Sequence, residues 1–250
     1  NRGEGISRAW ASVLRALRAV AERGGAGIVP AFNGVKVIVE DHIEELPDDV
    51  SGEVIAAVAA FAAQRRQINT SMSAVSLEWT LSDYFGRKVA DTRVGKEALA
   101  EREMIPLLAA MREASMDSRP EVRNSACRTF TSTLVSNGDK LPARIWRMAV
   151  FDILFALVDD VRAATASASE EEQAAPEIGE LDGQKIQLMV HHSRNTERKQ
   201  WDETETLALT GVGRLLRAHF DAVAKFDGFD KKLEWYLQWV TRSIAEGYPE

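Results

Sequence analysis

His191 and His192 are the one adjacent histidine pair in the chain, and Ser193 follows them, so chemistry is sought there first. Neighbouring side chains on a helix or strand point apart, and only an irregular loop could turn both rings onto one metal ion. A serine nucleophile needs a base oriented by a third group and an oxyanion hole, and the adjacency of Ser193 to His192 encodes neither. Asp41, His42 and Glu45 have the types of a charge-tuned acid/base group, but in so acidic a stretch they read as a solvated helix face. The run Gly24-Gly25-Ala26-Gly27 lacks the Lys-Ser/Thr that completes a phosphate loop and follows no strand, so it is a helix break. Cys127, the single cysteine, sits beside an apolar stripe with no neighbouring histidine to activate it, and reads as a small buried thiol. Neither enzymatic activity, a metal centre nor a cofactor is expected.

The cluster His191, His192, Arg194, Arg198 and Lys199 is the candidate partner-binding site. It sets positive and titratable groups directly after a glutamate-rich stretch, which could fold back on them or compete there with an acidic partner. The plainer reading is a solvated helix entrance. Trp201, Trp235 and Trp239 recur at helical spacing beside leucines and read as core, not as a ligand stack.

The elements that position these residues follow from composition and periodicity. The chain has 250 residues, 45% hydrophobic and 28% charged, enough for a substantial core. Its net charge of -7 argues against a dedicated nucleic-acid binder, which needs a concentrated basic surface. One cysteine permits no intrachain disulfide, in keeping with a reducing cytosolic compartment. No apolar run approaches the ~20 residues of a membrane span, and NRGEGISRAW lacks the apolar core of a secretory signal. The chain begins without Met, as a fragment would.

Amphipathic periodicity predicts helices over 6–23, 32–46, 50–64, 69–85, 96–116, 120–137, 142–162, 196–219 and 229–245, with no convincing strand. Val35 to Val39 has β propensity, but the carboxylates after it suit a helix and a lone strand would have no pairing partner. Residues 86–95 read as a short polar connection, and Pro106 as a kink or a division of its helix. Residues 163–189 form an acidic low-complexity loop dividing the helical repeats of 1–162 from those of 190–250, because so little aliphatic content cannot offset ordering entropy.

The segment DSRPEVRNSACRTFTSTLVSNGDKL, 117–141, carries the strongest local signal. Pro120 suits the first turn of a helix, Asp117 and Ser118 can accept its orphan N–H groups, and Glu121 sits at the positive end of its dipole. Val122, Ala126, Phe130 and Leu134 make the buried stripe, Asn124, Arg128 and Ser132 face away, and Asn137-Gly138 is the stop. An Asp in the turn followed by Val-Arg resembles the HEAT or armadillo-like motif, in which such Asp and Arg residues bond into a ladder along successive turns. On that resemblance Asp117, Pro120 and Arg123 are structural; an ordinary capped helix hairpin is the other reading. The predicted fold is all-α, a HEAT/armadillo-like superhelix of roughly nine or ten helices. The spacing of Pro47, Pro106 and Pro142 is irregular and sets no clean repeat period.

Three segments together resemble one family: SAVSLEWTLSDYF at 73–85, the segment at 117–141, and VHHSRNTERKQWDETETLALTGVGRLL at 190–216. They are similar to the carboxyl-terminal half of the Mon-two family, large eukaryotic HEAT-repeat proteins related to the big Arf guanine-nucleotide exchange factors but lacking their catalytic domain. The third segment is the most specific, because HHSR, Lys199-Gln200-Trp201 and the Leu-Ala-Leu-Thr-Gly-Val run are not dictated by helical periodicity. Two departures from the family pattern are the short connection 86–95 and Phe130-Thr131 in place of a more aliphatic pair.

The resemblance implies a non-enzymatic scaffold in vesicle-mediated protein transport, peripheral on Golgi, trans-Golgi network and endosome membranes. The partners it implies are a Dopey-family protein and a phospholipid flippase complex, with Arf-like small GTPases as further candidates. Two alternatives stay open: a regulatory region of an Arf exchange factor, and an unrelated HEAT-repeat cargo adaptor.

Overall fold

A computed structural model describes residues 2–170, 177–181, 184–187 and 196–245. The helices are α1 (Arg2–Arg23), α2 (Ile28–Asp41), α3 (Ser51–Ala63), α4 (Ile68–Asp91), α5 (Lys96–Ala114) and α6 (Pro120–Asn137). There follow α7 (Ala143–Arg147), a π-helical stretch Met148–Leu154, α8 (Phe155–Ser167), α9 (Glu197–Val223) and α10 (Phe229–Ala245). Short 3-10 turns, Ile43–Glu45 and Asp48–Val50, link α2 to α3.

The contacts run in two rows. α1, α3, α5 and the α7–α8 rod pack in sequence as one layer; α2, α4, α6 and α9 pack in sequence as the other; and each helix also packs on its successor across the layers. This is a helical solenoid, in which each hairpin buries its apolar faces only against its neighbours. First-layer helices begin at Ser51, Lys96 and Ala143, spacings near the ~40–47 residues of a HEAT or armadillo repeat. The period hidden by the prolines is therefore real. Pro106 sits inside α5 and marks no boundary, whereas Pro47 and Pro142 both precede a first-layer helix.

The core is one continuous cluster from Leu14 through Val35, Phe61, Leu81, Leu107, Phe130 and Leu154 to Leu215. Trp201 and Trp239 belong to it, and Trp235 packs partly buried against it. Between α7 and α8 the π stretch holds one extra residue per turn and so rotates the apolar face. The rod meets α5 and α6 through that stretch and α9 beyond it. α10 continues the first layer: Trp235 stacks edge-on to Phe155 at 5.8 Å between ring centroids.

Several boundaries differ from expectation. α4 continues to Asp91, so 86–91 are helix and the connection is only 92–95. Gly86 marks close helix contact: a Cβ there would lie 2.0 Å from Oδ1 of Asn137 on α6. α8 runs to Ser167, beyond the anticipated stop at Arg162, because alanine favours helix however little it adds to hydrophobicity. Thr165 is buried there, with its hydroxyl donating to Val161 O. Within the anticipated loop, the short segments β1 (Glu177–Leu181) and β2 (Gln184–Gln187) pair with each other antiparallel and leave the fold all-α. Asn124 faces inward, not outward, and Gly138 ends α6 in a right-handed conformation, without the left-handed cap of a typical glycine stop.

Candidate interaction edge

In a solenoid of antiparallel hairpins the turns inside the hairpins collect along one edge. Here these are the α1–α2 turn at Gly24, the α3–α4 turn at Gln64, the α5–α6 turn at Asp117, and the approach to α9. Polar bonds tie the α3–α4 turn to the α5–α6 turn, and α6 beside that turn to α9.

Arg119 is the main tie. Its Nε donates to Asp117 Oδ1 at 2.9 Å and its Nη2 to Asp117 Oδ2 at 2.8 Å, while the Arg119 amide also donates to Oδ1 at 2.8 Å. Its remaining N–H groups reach back one repeat, to Gln64 O at 2.8 Å, Ser71 Oγ at 3.1 Å and Ala62 O at 3.2 Å. All five guanidinium donors are thereby used, and the two carbonyls are among the orphans left at the end of α3. Burial raises the pKa of the Asp117 carboxyl, but the Arg119 bonds more than offset it and hold it below the usual carboxylate range. Gln64 completes the corner: Oε1 accepts from the Arg66 and Gln67 amides, and Nε2 donates to Ser71 Oγ and Gln67 O.

The anticipated Asp117–Arg123 ladder takes a different form. Asp117 pairs with Arg119, and Arg123 lies under the next turn at 1% exposure. Arg123 Nε donates to Thr204 Oγ1 at 2.9 Å, Nη1 donates to Ser118 O at 3.0 Å, and the guanidinium covers the Trp201 ring at 4.1 Å. Burial depresses its pKa. Thr204 donates in turn to Asn124 Oδ1, which accounts for the inward Asn124. Pro120 opens α6 in its first turn. Sequence reasoning missed Arg119; the one local signal was an arginine two residues after a turn aspartate, within reach of the same carboxylate.

Of the candidate partner-binding residues, His191, His192 and Arg194 lie outside the described residues. Arg198 pairs with Asp202 one turn along, Nε to Oδ1 at 3.1 Å, and its amide donates to Ser169 O at 3.0 Å. Lys199 is exposed, and its amide donates to the Thr196 hydroxyl that caps α9. The Arg198 charge is thus already engaged within its own helix.

The Leu-Ala-Leu-Thr-Gly-Val run has a packing reason. A Cβ on Gly211 would lie 2.3 Å from Cγ2 of Thr131, so α9 and α6 meet there backbone to side chain. Thr131 turns its hydroxyl back to Cys127 O at 3.0 Å, leaving the methyl to fill the contact. Tyr236 donates to Leu209 O at 3.2 Å, tying α10 to the same segment. Cys127 is buried, and its thiol is pushed up to about 12 by that burial, so it is not a nucleophile at neutral pH. Among the described residues no group of three metal-ligating side chains occurs, and no helix is long and apolar enough to cross a membrane.

The family model described as the C-terminal region of Mon2 protein matches residues 101–245. A protein MON2 homolog of Drosophila melanogaster is 29% identical over 95% of this chain and 14% of its own length. The monensin-resistant homolog 2 of Caenorhabditis elegans is 27% identical over 94% of the chain and 14% of its own length. A brefeldin A-inhibited guanine nucleotide-exchange protein 2 of Arabidopsis thaliana is 34% identical over 31% of the chain and 5% of its own length. The chain thus spans about 14% of the length of the first two relatives. No solved structure matches.

Proposed function

Because this chain belongs to the family of the Mon2 C-terminal region, a family of trafficking scaffolds, we propose that it is a non-enzymatic scaffold segment of vesicle-mediated protein transport. It acts at the cytoplasmic face of Golgi, trans-Golgi network and endosome membranes, held there peripherally. Its partners are a Dopey-family protein and, through it, a phospholipid flippase complex, with Arf-like small GTPases as further ligands. The observation that carries this reading is the family match, together with a turn cluster in which Arg119 and Arg123 are spent on stacking. The bonds of Arg119 and Arg123 lock turn to turn and leave no poised acid, base or nucleophile in that cluster.

The similarity to brefeldin A-inhibited guanine nucleotide-exchange proteins supports a second reading, a regulatory region of an Arf exchange factor. Fluorescent nucleotide exchange on an Arf protein, driven by an exchange-factor catalytic domain, separates the two. Adding the folded chain leaves the rate unchanged if it is a scaffold. A dose-dependent rise or fall in rate favours the regulatory reading instead.

A further inference from the structure

The α1–α2 and α3–α4 turns enclose a cleft of about 470 Å³, within the range of binding pockets. Ala21, Ile28 and Ala60 form its apolar floor, and Arg23, Arg65 and Arg66 stand around it. The arginine positions are built. Gly24, at φ 73°, brings bare backbone under Arg66, whose Nε would lie 2.8 Å from a Cβ placed there. Arg65 Nη1 donates to Ser118 Oγ at 2.6 Å, and Arg23 Nε donates to Ala19 O at 3.1 Å. Among the described residues none of the three forms a direct ion pair; Arg65 acts on the Asp117 carboxylate through space only, and Glu22, which lines the cleft, is engaged by Arg18 at 2.8 Å.

The opposite edge is the reverse. Lys88 and Arg102 share Asp48 and the fully buried Glu103, and Arg144 binds both Glu97 and Glu101. A chain of net charge -7 that neutralises its basic residues there, yet sets three guanidinium groups here beside one lining carboxylate, Glu22, itself paired with Arg18, gathers an excess of positive charge in one concave place. Guanidinium forks suit carboxylates, and the apolar floor suits one aliphatic side chain.

We propose that this cleft docks an acidic peptide segment of a partner protein, with carboxylates flanking a single apolar residue. A flat bilayer cannot follow the concave surface to its floor, so a membrane is the poorer match. The proposal rests on the scaffold reading for there being a partner, and it adds the chemistry of one site.

The test is fluorescence anisotropy on the whole chain, using as probe a labelled synthetic peptide of glutamates around a central leucine. Saturable binding is expected, weakened about tenfold by Arg66→Glu or Arg65→Glu and about threefold by Arg66→Gln, and weakened by salt. Arg217→Glu, an equal charge change on the exposed face of α9, leaves it unaltered. Thermal melts followed by circular dichroism check that each variant folds. No binding, equal loss in Arg217→Glu, or preferential binding to phosphatidylserine vesicles that Arg66→Glu abolishes overturns the proposal. Failure of the unsubstituted chain to bind the peptide, alongside intact capture of a Dopey-family protein, removes the cleft and leaves the scaffold reading standing.

Discussion

The guanidinium of Arg123 lies 4.1 Å from the centroid of the Trp201 ring, joining α6 to α9 beneath the solenoid edge. Its Nε and Nη1 are hydrogen-bonded but its Nη2 has no acceptor, so the ring face adds to what those bonds supply for the buried charge. Arg123→Lys and Trp201→Leu are each expected to destabilise the chain by ~1–2 kcal/mol, with a coupling of about 1 kcal/mol in the double mutant. Urea unfolding of the four proteins measures it, and strict additivity would remove the stacking contribution.

Arg119 should matter more. Its loss leaves the Asp117 carboxylate without its guanidinium partner and frees the carbonyls at the end of α3. Arg119→Ala is expected to cost about 3 kcal/mol, the range for breaking a buried pair. Hydrogen exchange should then speed up at the ends of both α3 and α6, since one residue holds two repeats. Faster exchange in α6 alone would mean that Arg119 is only a local cap.

Glu78 gives the fold a pH dependence. It is 1% exposed on α4, neither carboxyl oxygen has a hydrogen-bond partner, and burial pushes its pKa from 4.5 up to about 8. A raised acid pKa means that the folded chain keeps a proton which the unfolded chain releases above about 4.5. The stability is therefore fully present below that pH and is lost as the pH rises toward 8, by up to ~1.4 kcal/mol per unit. Burial also raises Glu205, against opposing bonds from Thr165 and Trp239, and this adds in the same direction. Urea midpoints should fall from pH 5 to pH 8, and Glu78→Gln should remove most of the fall. An identical fall in the variant would acquit Glu78.

Gly86 and Gly211 are contact glycines. An added Cβ meets Asn137 at 2.0 Å in the first case and Thr131 at 2.3 Å in the second. Gly211→Ala is expected to destabilise by ~1–3 kcal/mol, the overpacking range, despite its better helix propensity. Gly211→Ala with Thr131→Ser, which removes the blocking methyl, should recover part of it. No recovery would place the strain elsewhere.

The fold class was legible because each helix carries its own apolar stripe, and α10 lies where its leucine and tryptophan spacing put it. Boundaries set by tertiary contact were not. Gly86 and its neighbours look like a connection until Asn137 is seen lying against Gly86, and Pro106 looks like a break although its helix continues through it. The Asp117 motif pointed to this turn and to Arg123 but not to Arg119, since only the return of the chain brings the carbonyls of α3 to Arg119. The cleft at Arg23, Arg65 and Arg66 is invisible along the sequence, because its arginines come from two turns that meet only once hairpins stack. The basic cluster at 191–199 was visible because it is contiguous, and Arg198 within it proves to be paired.

That this stretch works by binding is tested most directly by calorimetric titration of a purified Dopey-family protein into the folded chain. The scaffold account predicts a saturable isotherm whose affinity is unaffected by added nucleotide. A flat titration, with the helical circular dichroism signal and the melting transition of the chain intact, would contradict it.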